Sequence, residues 1–205
     1  MPIGMLGRKV GMTQIFNSKG NAIPVTVLQI GPCTITNSDL AINSQIQIGY
    51  EYINPKKITA SRLGYFKKRK IPCFKYLKSC KISVNESTNI DIGEVLTTKN
   101  FSIGALINVS GISIGKGFSG YQKRHHFSRG PMSHGSKNHK QPGSIGAGTT
   151  PGRVFPGKRM AGKMGTNRVT IKNLKIIDIN NEENLIIIKG SVPGKNGNLL
   201  YVYNK

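Results

Sequence analysis

Between Glu94 and Asp178 the chain runs for 83 residues without a carboxylate, and fourteen lysines and arginines fall inside that gap. Thirteen of its 25 glycines lie between Gly111 and Gly165. Such a stretch cannot close a core of its own. Large aliphatic residues are few, no alternation runs through it, and Gly and Pro interrupt it repeatedly. Whatever folds must be built from the flanks.

The flanks carry strand signals. VTVLQIG (25–31), IQIGY (46–50), ALINVSGISI (105–114), VTIKNLKIIDI (169–179) and NLIIIKG (184–190) are short Ile/Val-rich runs bounded by Gly, Asn or Pro. NNEEN (180–184) reads as a hairpin turn, and GKNGNLLYVY (194–203) sets Asn-Gly just before a last apolar run. Helical periodicity is nearly absent; the best candidate is ASRLGYFKKRKI (60–71), ended by Pro72. The fold class expected is mainly β: a small β-barrel assembled from both ends of the chain. Residues 1–110 supply its first part, with a basic insertion near 55–82. Residues 111–165 form a long basic non-globular loop, and 166–205 bring the closing strands. A loop of that length inside an ordered domain normally has a partner to order it.

Charge indicates what the partner is. Thirty Lys and Arg against eight Asp and Glu give a formal net charge of +22, a field that attracts polyanions. A membrane surface is disfavoured: no apolar run approaches the roughly 18 residues needed to span a bilayer, and the cations do not lie opposite an apolar helix face. Cys33, Cys73 and Cys80 form no CxxC pair, so they read as free thiols of a reducing compartment rather than a zinc knuckle or redox motif. The start, MPIGMLGRKVGMTQIF, shows neither a secretory signal nor a Ser/Arg-rich leader. Heavy use of Ile, Asn and Lys, whose codons are AT-rich, favours a bacterial or organellar genome, plastid first.

Three motifs lie in or at the edge of the acid-free loop. GKGFSG (115–120) matches GxGxxG, but YQKRHHFSRGP after it has no apolar helix face, and no acid arrives to hold a ribose hydroxyl. SGISIGKG misses the phosphate-binding loop, with Ser110 where its first glycine belongs and Gly117 where a magnesium-ligating Ser or Thr belongs. All four histidines, His125, His126, His134 and His139, fall within RHHFSRGPMSHGSKNH (124–139). A metal there would meet Arg124, Arg129, Lys137 and Lys140 with no carboxylate to steady the ligands. Catalysis by these imidazoles lacks an acid to orient them. Neither metal, cofactor, small-molecule substrate nor enzymatic activity is expected, although a histidine-dependent metal-binding protein stands as the alternative from another class.

RNA accounts for all these residue types together. Lys and Arg neutralise phosphates, and Arg also stacks on bases. His125, His126, Tyr121, Phe127 and Phe118 suit unpaired bases, while glycine lets backbone pass through crevices too narrow for side chains. A carboxylate would meet repulsion in a phosphate-lined tunnel. Double-stranded DNA is less suitable, since no recognition helix is visible. The candidate RNA-binding residues are Lys116, Lys123, Arg124, His125, His126, Arg129, His134, Lys137, His139, Lys140, Arg153, Lys158, Arg159, Lys163 and Arg168. A general nucleic-acid-compacting protein is the remaining alternative.

KGFSGYQKRHHFSRGPMSHGS followed by GSIGAGTTPGRVFPGKRMAGKMG resembles the bacterial-type family of ribosomal large-subunit protein three. GRKVGMTQIF with IPVTVL, and NLIIIKGSVPGKNGNLLYV, fit the same family in order and spacing, so the resemblance spans essentially the whole chain and is loosest across 35–100. It implies a closed barrel of the elongation-factor type and direct binding of large-subunit ribosomal RNA beside neighbouring large-subunit proteins. It also implies an early role in assembling the subunit, and no enzymatic activity. By the same match, Lys116, Lys123, Arg124 and Arg129 lie on the outward arm of the extension, and Arg153, Lys158, Arg159 and Lys163 on the return. Gly143, Ser144, Ile145, Gly146, Ala147, Gly148, Thr149 and Thr150 form the tip, directed toward the peptidyl transferase centre. Thr149 stands where some bacterial members carry a glutamine methylated on its side-chain amide, so this chain is not expected to be a substrate for that modification.

Overall fold

The computed structural model describes residues 4–39, 45–81 and 91–204. The chain is mainly β, as its flanks predict, and divides into two compact units: Met1–Ile112 with Arg168–Lys205, and Ser113–Asn167.

Six antiparallel pairings, two of them hairpins, link the strands of the main sheet of the first unit. The strands are β1 (Met5–Phe16), β2 (Ala22–Ile30), β3 (Cys33–Asp39), β4 (Gln45–Tyr52), β5 (Phe74–Lys81), β6 (Val95–Leu96) and β7 (Leu106–Ile112). In the second unit come β8 (Phe118–Ser119) and β9 (Gly162–Lys163). The first unit then resumes with β10 (Arg168–Asn180), β11 (Leu185–Lys189) and β12 (Leu199–Asn204). β1 pairs with β2, β2 with β11, β11 with β10, β10 with β7, β7 with β12, and β12 with β1 again. A four-stranded sheet in the order β5-β4-β3-β6 completes the unit.

One apolar core serves both sheets. Leu28 and Ile30 from β2, Ile107 and Val109 from β7, Ile176 from β10, Ile186 and Ile188 from β11, and Leu200 and Val202 from β12 are buried in it, together with Ile35, Ile46 and Ile48 from β3 and β4. Alternation does this. β11 buries Ile186 and Ile188 while Ile187 between them is half-buried, because successive side chains leave opposite faces of a strand. Each such side chain contributes on the order of 1.5–3 kcal/mol by leaving water.

Two side chains in the body show how its polar groups are satisfied. Lys9 is buried at a register shift in β1, and its Nζ donates to the carbonyls of Val192 and Gly194, both at 3.3 Å. Glu51 accepts from Arg8 and from Lys75. Burial works to raise its carboxyl, but these two hydrogen bonds outweigh that, and it sits below the usual carboxylate range. The three cysteines are free and buried; burial pushes the Cys33 thiol up to about 12 despite its backbone contact with Leu6.

The single helix expected from sequence is present as α1 (Ala60–Lys68). It stops short of the predicted Ile71 because Lys70 turns into the left-handed region at φ 54°, with its N–H on Lys67 O and that of Ile71 on Phe66 O. Strands β1, β3 and β5, and the two-residue strands β6, β8 and β9, are additions to the strands that the sequence signals predict.

Candidate nucleic-acid interface

Ser113–Asn167 carries ten Lys and Arg and no Asp or Glu. The only buried residue in it is Ser119. It is held by backbone rather than by a core. Ser113 N donates to Asn167 O at 2.9 Å, Lys116 N to Met164 O at 2.9 Å and Met164 N to Gly117 O at 2.9 Å. The short β8–β9 ladder pairs Phe118 with Lys163 and Ser119 with Gly162. Gly165 is indispensable to this pairing. Its φ is +78°, and a Cβ there would lie 2.1 Å from Ile114 O, a backbone atom that has nowhere to retreat.

Beyond the ladder a one-turn helix, α2 (Tyr121–His125), opens after Gly120 and ends at His126 in the left-handed region. The sequence gives no hint of it, since five residues are too few to display a period. The helix clasps the returning chain just before β9: Arg124 Nη1 donates to Met160 O at 2.7 Å, and His125 Nε2 lies 2.9 Å from the same oxygen. Gln122 Nε2 donates to His139 O at 2.8 Å. At Gly130 a Cβ would meet Asn138 O at 2.2 Å, so the two ends of this loop touch through bare backbone.

The candidate residues separate into classes. Lys116, Lys123, Arg129, Lys137, Lys140, Arg153, Lys158, Arg159 and Lys163 are exposed, and so are His126 and His134. Lys123, Arg129 and Lys140 line one hollow of about 310 Å³ with Gly120, Tyr121 and Gln122, a polar recess with three cations around it. Arg124 and His125 are half-buried, committed to Met160 as described, and His139 is half-buried beside Gln122. Arg168 belongs to the other unit, where it opens β10 opposite Ile112. Among the described residues no group of three or more His, Cys, Asp or Glu stands close enough to hold a metal ion.

The aromatics are used differently from what the sequence suggests. Tyr121 and Phe127 stack on each other with centroids 6.1 Å apart, and His125 tilts against Phe127 at 5.9 Å. Their faces are partly spent inside the unit, while Phe118, 81% exposed, and the exposed His126 are left open. The segment 143–150 is exposed throughout; Gly143 and Gly146 adopt φ of 76° and 154°, and Ser144 Oγ contacts the backbone of Gly146. Sequence reasoning missed Gln122, whose role is a contact with a backbone carbonyl and leaves no pattern to find.

The chain is similar to known proteins along its length. Residues 79–186 match the family described as Ribosomal protein L3. The chain is 57% identical over 205 residues to the Large ribosomal subunit protein uL3c of Phaeodactylum tricornutum (strain CCAP 1055/1), covering 98% of each chain. It is 56% identical over 206 residues to the protein of the same name from Gracilaria tenuistipitata var. liui, across 99% of this chain and 100% of that one. It is also 50% identical to the Large ribosomal subunit protein uL3 of Prochlorococcus marinus (strain MIT 9312), across 98% of this chain and 94% of that one. A matched family spanning half the chain, and relatives this similar over nearly its whole length, leave one conclusion: the chain belongs to the ribosomal protein L3 family.

Proposed function

We propose that the chain is a structural constituent of the large subunit of a plastid or bacterial ribosome, and that Ser113–Asn167 binds large-subunit ribosomal RNA directly. The body, on this reading, is the closed elongation-factor-type barrel of its family, packed beside neighbouring large-subunit proteins. The extension threads into folded RNA with 143–150 as its tip, directed toward the peptidyl transferase centre, and its early binding helps nucleate assembly. The role is architectural rather than enzymatic. One observation supports this most: a unit with ten cations, no carboxylate and a serine as its only buried residue. A unit without a core gains its stability from a partner, and phosphate is the partner that those side chains fit.

Limited proteolysis tests the reading. In the free chain the first cuts are expected within 115–165, where no buried apolar side chains oppose local opening, and the body should survive. Adding large-subunit ribosomal RNA should suppress those cuts. A free extension as resistant as the body would count against the proposal.

A further inference from the structure

The body holds a second stretch without carboxylates. No Asp or Glu occurs between Glu51 and Glu86, while ten Lys and Arg fall in those 34 residues, a higher density than in the extension. Some of these cations serve the fold. Arg62 Nη2 donates to Phe74 O and Lys75 O, both at 3.2 Å. Arg69 lies 4.0 Å over the Tyr65 ring and reaches Asn37 Oδ1 at 3.3 Å, and Lys75 pairs with Glu51. Lys56, Lys57, Lys67, Lys68 and Lys70 are exposed, and among the described residues no carboxylate pairs with any of them.

The helix dipole accounts for part of this cluster, because Lys67 and Lys68 occupy the last turn of α1, where cations are favoured. It does not account for Lys56 and Lys57, which sit in a separate 3-10 turn, Pro55–Lys57. Nor does it explain Lys70, which holds a left-handed φ of 54° that glycine adopts at less cost.

One of these lysines, Lys67, lines a hollow of about 510 Å³ together with Tyr52, Pro55, Leu63, Phe66 and Ile71, among others. Its volume falls in the range of roughly 300–1,000 Å³ usual for ligand recesses. Phe66 is 1% exposed and forms the floor; Tyr52 is 65% exposed and presents a free aromatic ring. Lys56 and Lys57 come directly after the lining residue Pro55 in the chain, before α1, and Lys70 directly precedes the lining residue Ile71, after it. An apolar ligand has no use for the cations, and phosphate alone has none for the apolar floor. A nucleotide uses both, provided its base is unpaired and free to leave the stack.

We infer that this hollow receives one unpaired nucleotide of the bound RNA, its base against Tyr52, Leu63 and Ile71 and its flanking phosphates on Lys56, Lys57, Lys67 and Lys70. The inference rests on the RNA binding proposed above and assigns the body a contact of its own.

The test uses the full chain bound to large-subunit ribosomal RNA and titrated across salt. Tyr52→Ala lowers affinity about tenfold and leaves the salt slope unchanged, because base stacking carries no counterion release, and Tyr52→Phe restores it. Replacing Lys56, Lys57, Lys67 and Lys70 together by Ala flattens the slope by about 3, at roughly 0.7 per phosphate of single-stranded RNA. Lys70→Gly separates stability from binding: it melts no lower than the native chain, yet loses about one charge of slope. Ultraviolet cross-linking of the unaltered complex puts a nucleotide on peptide 52–57 or 67–71, which decides the matter even if a variant folds poorly. If the native chain prefers ribosomal RNA while all four variants match its affinity and slope and no adduct forms there, the hollow serves another occupant, such as a peptide, and the inference is overturned. A native chain with no preference for ribosomal RNA would instead remove the underlying proposal, a distinguishable failure.

Discussion

Replacing Ser113–Asn167 with an Asn-Gly turn is expected to leave a folded body that has lost most of its affinity for large-subunit ribosomal RNA. The design comes from register. Ile112 and Arg168 are direct partners on antiparallel β7 and β10, and two residues of that type suffice to join such strands. The excised segment contributes no residue to the apolar core of the body or to the smaller cluster of Phe66, Cys73 and Phe74, so the melting temperature should stay within about 2 °C, the effect of a change near 0.5 kcal/mol in a domain of this size. Binding behaves differently. A protein neutralising six to ten phosphates loses about 10³–10⁵ in affinity between roughly 50 and 200 mM salt, and the extension holds ten of the thirty Lys and Arg. The excised variant should bind more weakly and with a visibly flatter salt dependence. Its remaining twenty cations leave a residual, mostly sequence-blind attraction. An excised chain that kept both affinity and slope would show that the extension is not the RNA-binding element.

Ile188→Ala should show the opposite pattern. Ile188 is 0% exposed and lies opposite Thr26 on β2 and Ile176 on β10, so three strands share its packing. Truncation costs about 2–5 kcal/mol in lost transfer energy and cavity, against a total stability of roughly 5–15 kcal/mol. At about 2–4 °C per kcal/mol the melting temperature falls on the order of 5–15 °C. RNA affinity of the fraction still folded is unchanged. Phe118→Ala supplies the contrast: at 81% exposure its loss should move stability by no more than about 0.5 kcal/mol, while weakening RNA binding. Thermal unfolding by circular dichroism and a binding titration on the same two variants check both halves.

Elements are legible in a sequence when their interactions leave a pattern. β2, β4, β7, β10, β11 and β12 were readable because half-burial writes alternation and β-branched residues into the chain. β1 was not, since the register shift between Lys9 and Gly11 breaks its alternation and two glycines, Gly7 and Gly11, fall inside it. β3 ends in polar residues, and β5 (FKYLKSCK) reads first as a charge run. The extension was recognisable from what it lacks, acids and large aliphatics. Its internal geometry was hidden, because Arg124, His125 and Gln122 act on carbonyls of Met160 and His139, and a backbone acceptor is available at any residue type. That is also why the histidine cluster suggested a metal. Its members are spaced by a clasp and turns that the chain does not spell out. The basic insertion near 55–82 is visible as composition, but the hollow that Lys67 lines requires α1 to be placed beside Tyr52 and Pro55.

Competition between large-subunit ribosomal RNA and an equal mass of unrelated structured RNA for the native chain, measured across salt, tests the central claim most directly. Both complexes should weaken as salt rises, since counterion release drives each. The account predicts that a clear preference for the ribosomal RNA survives at high salt, where only contacts specific to its folded shape remain. Equal competition at every salt concentration would contradict it, leaving a polycation that binds any RNA it meets.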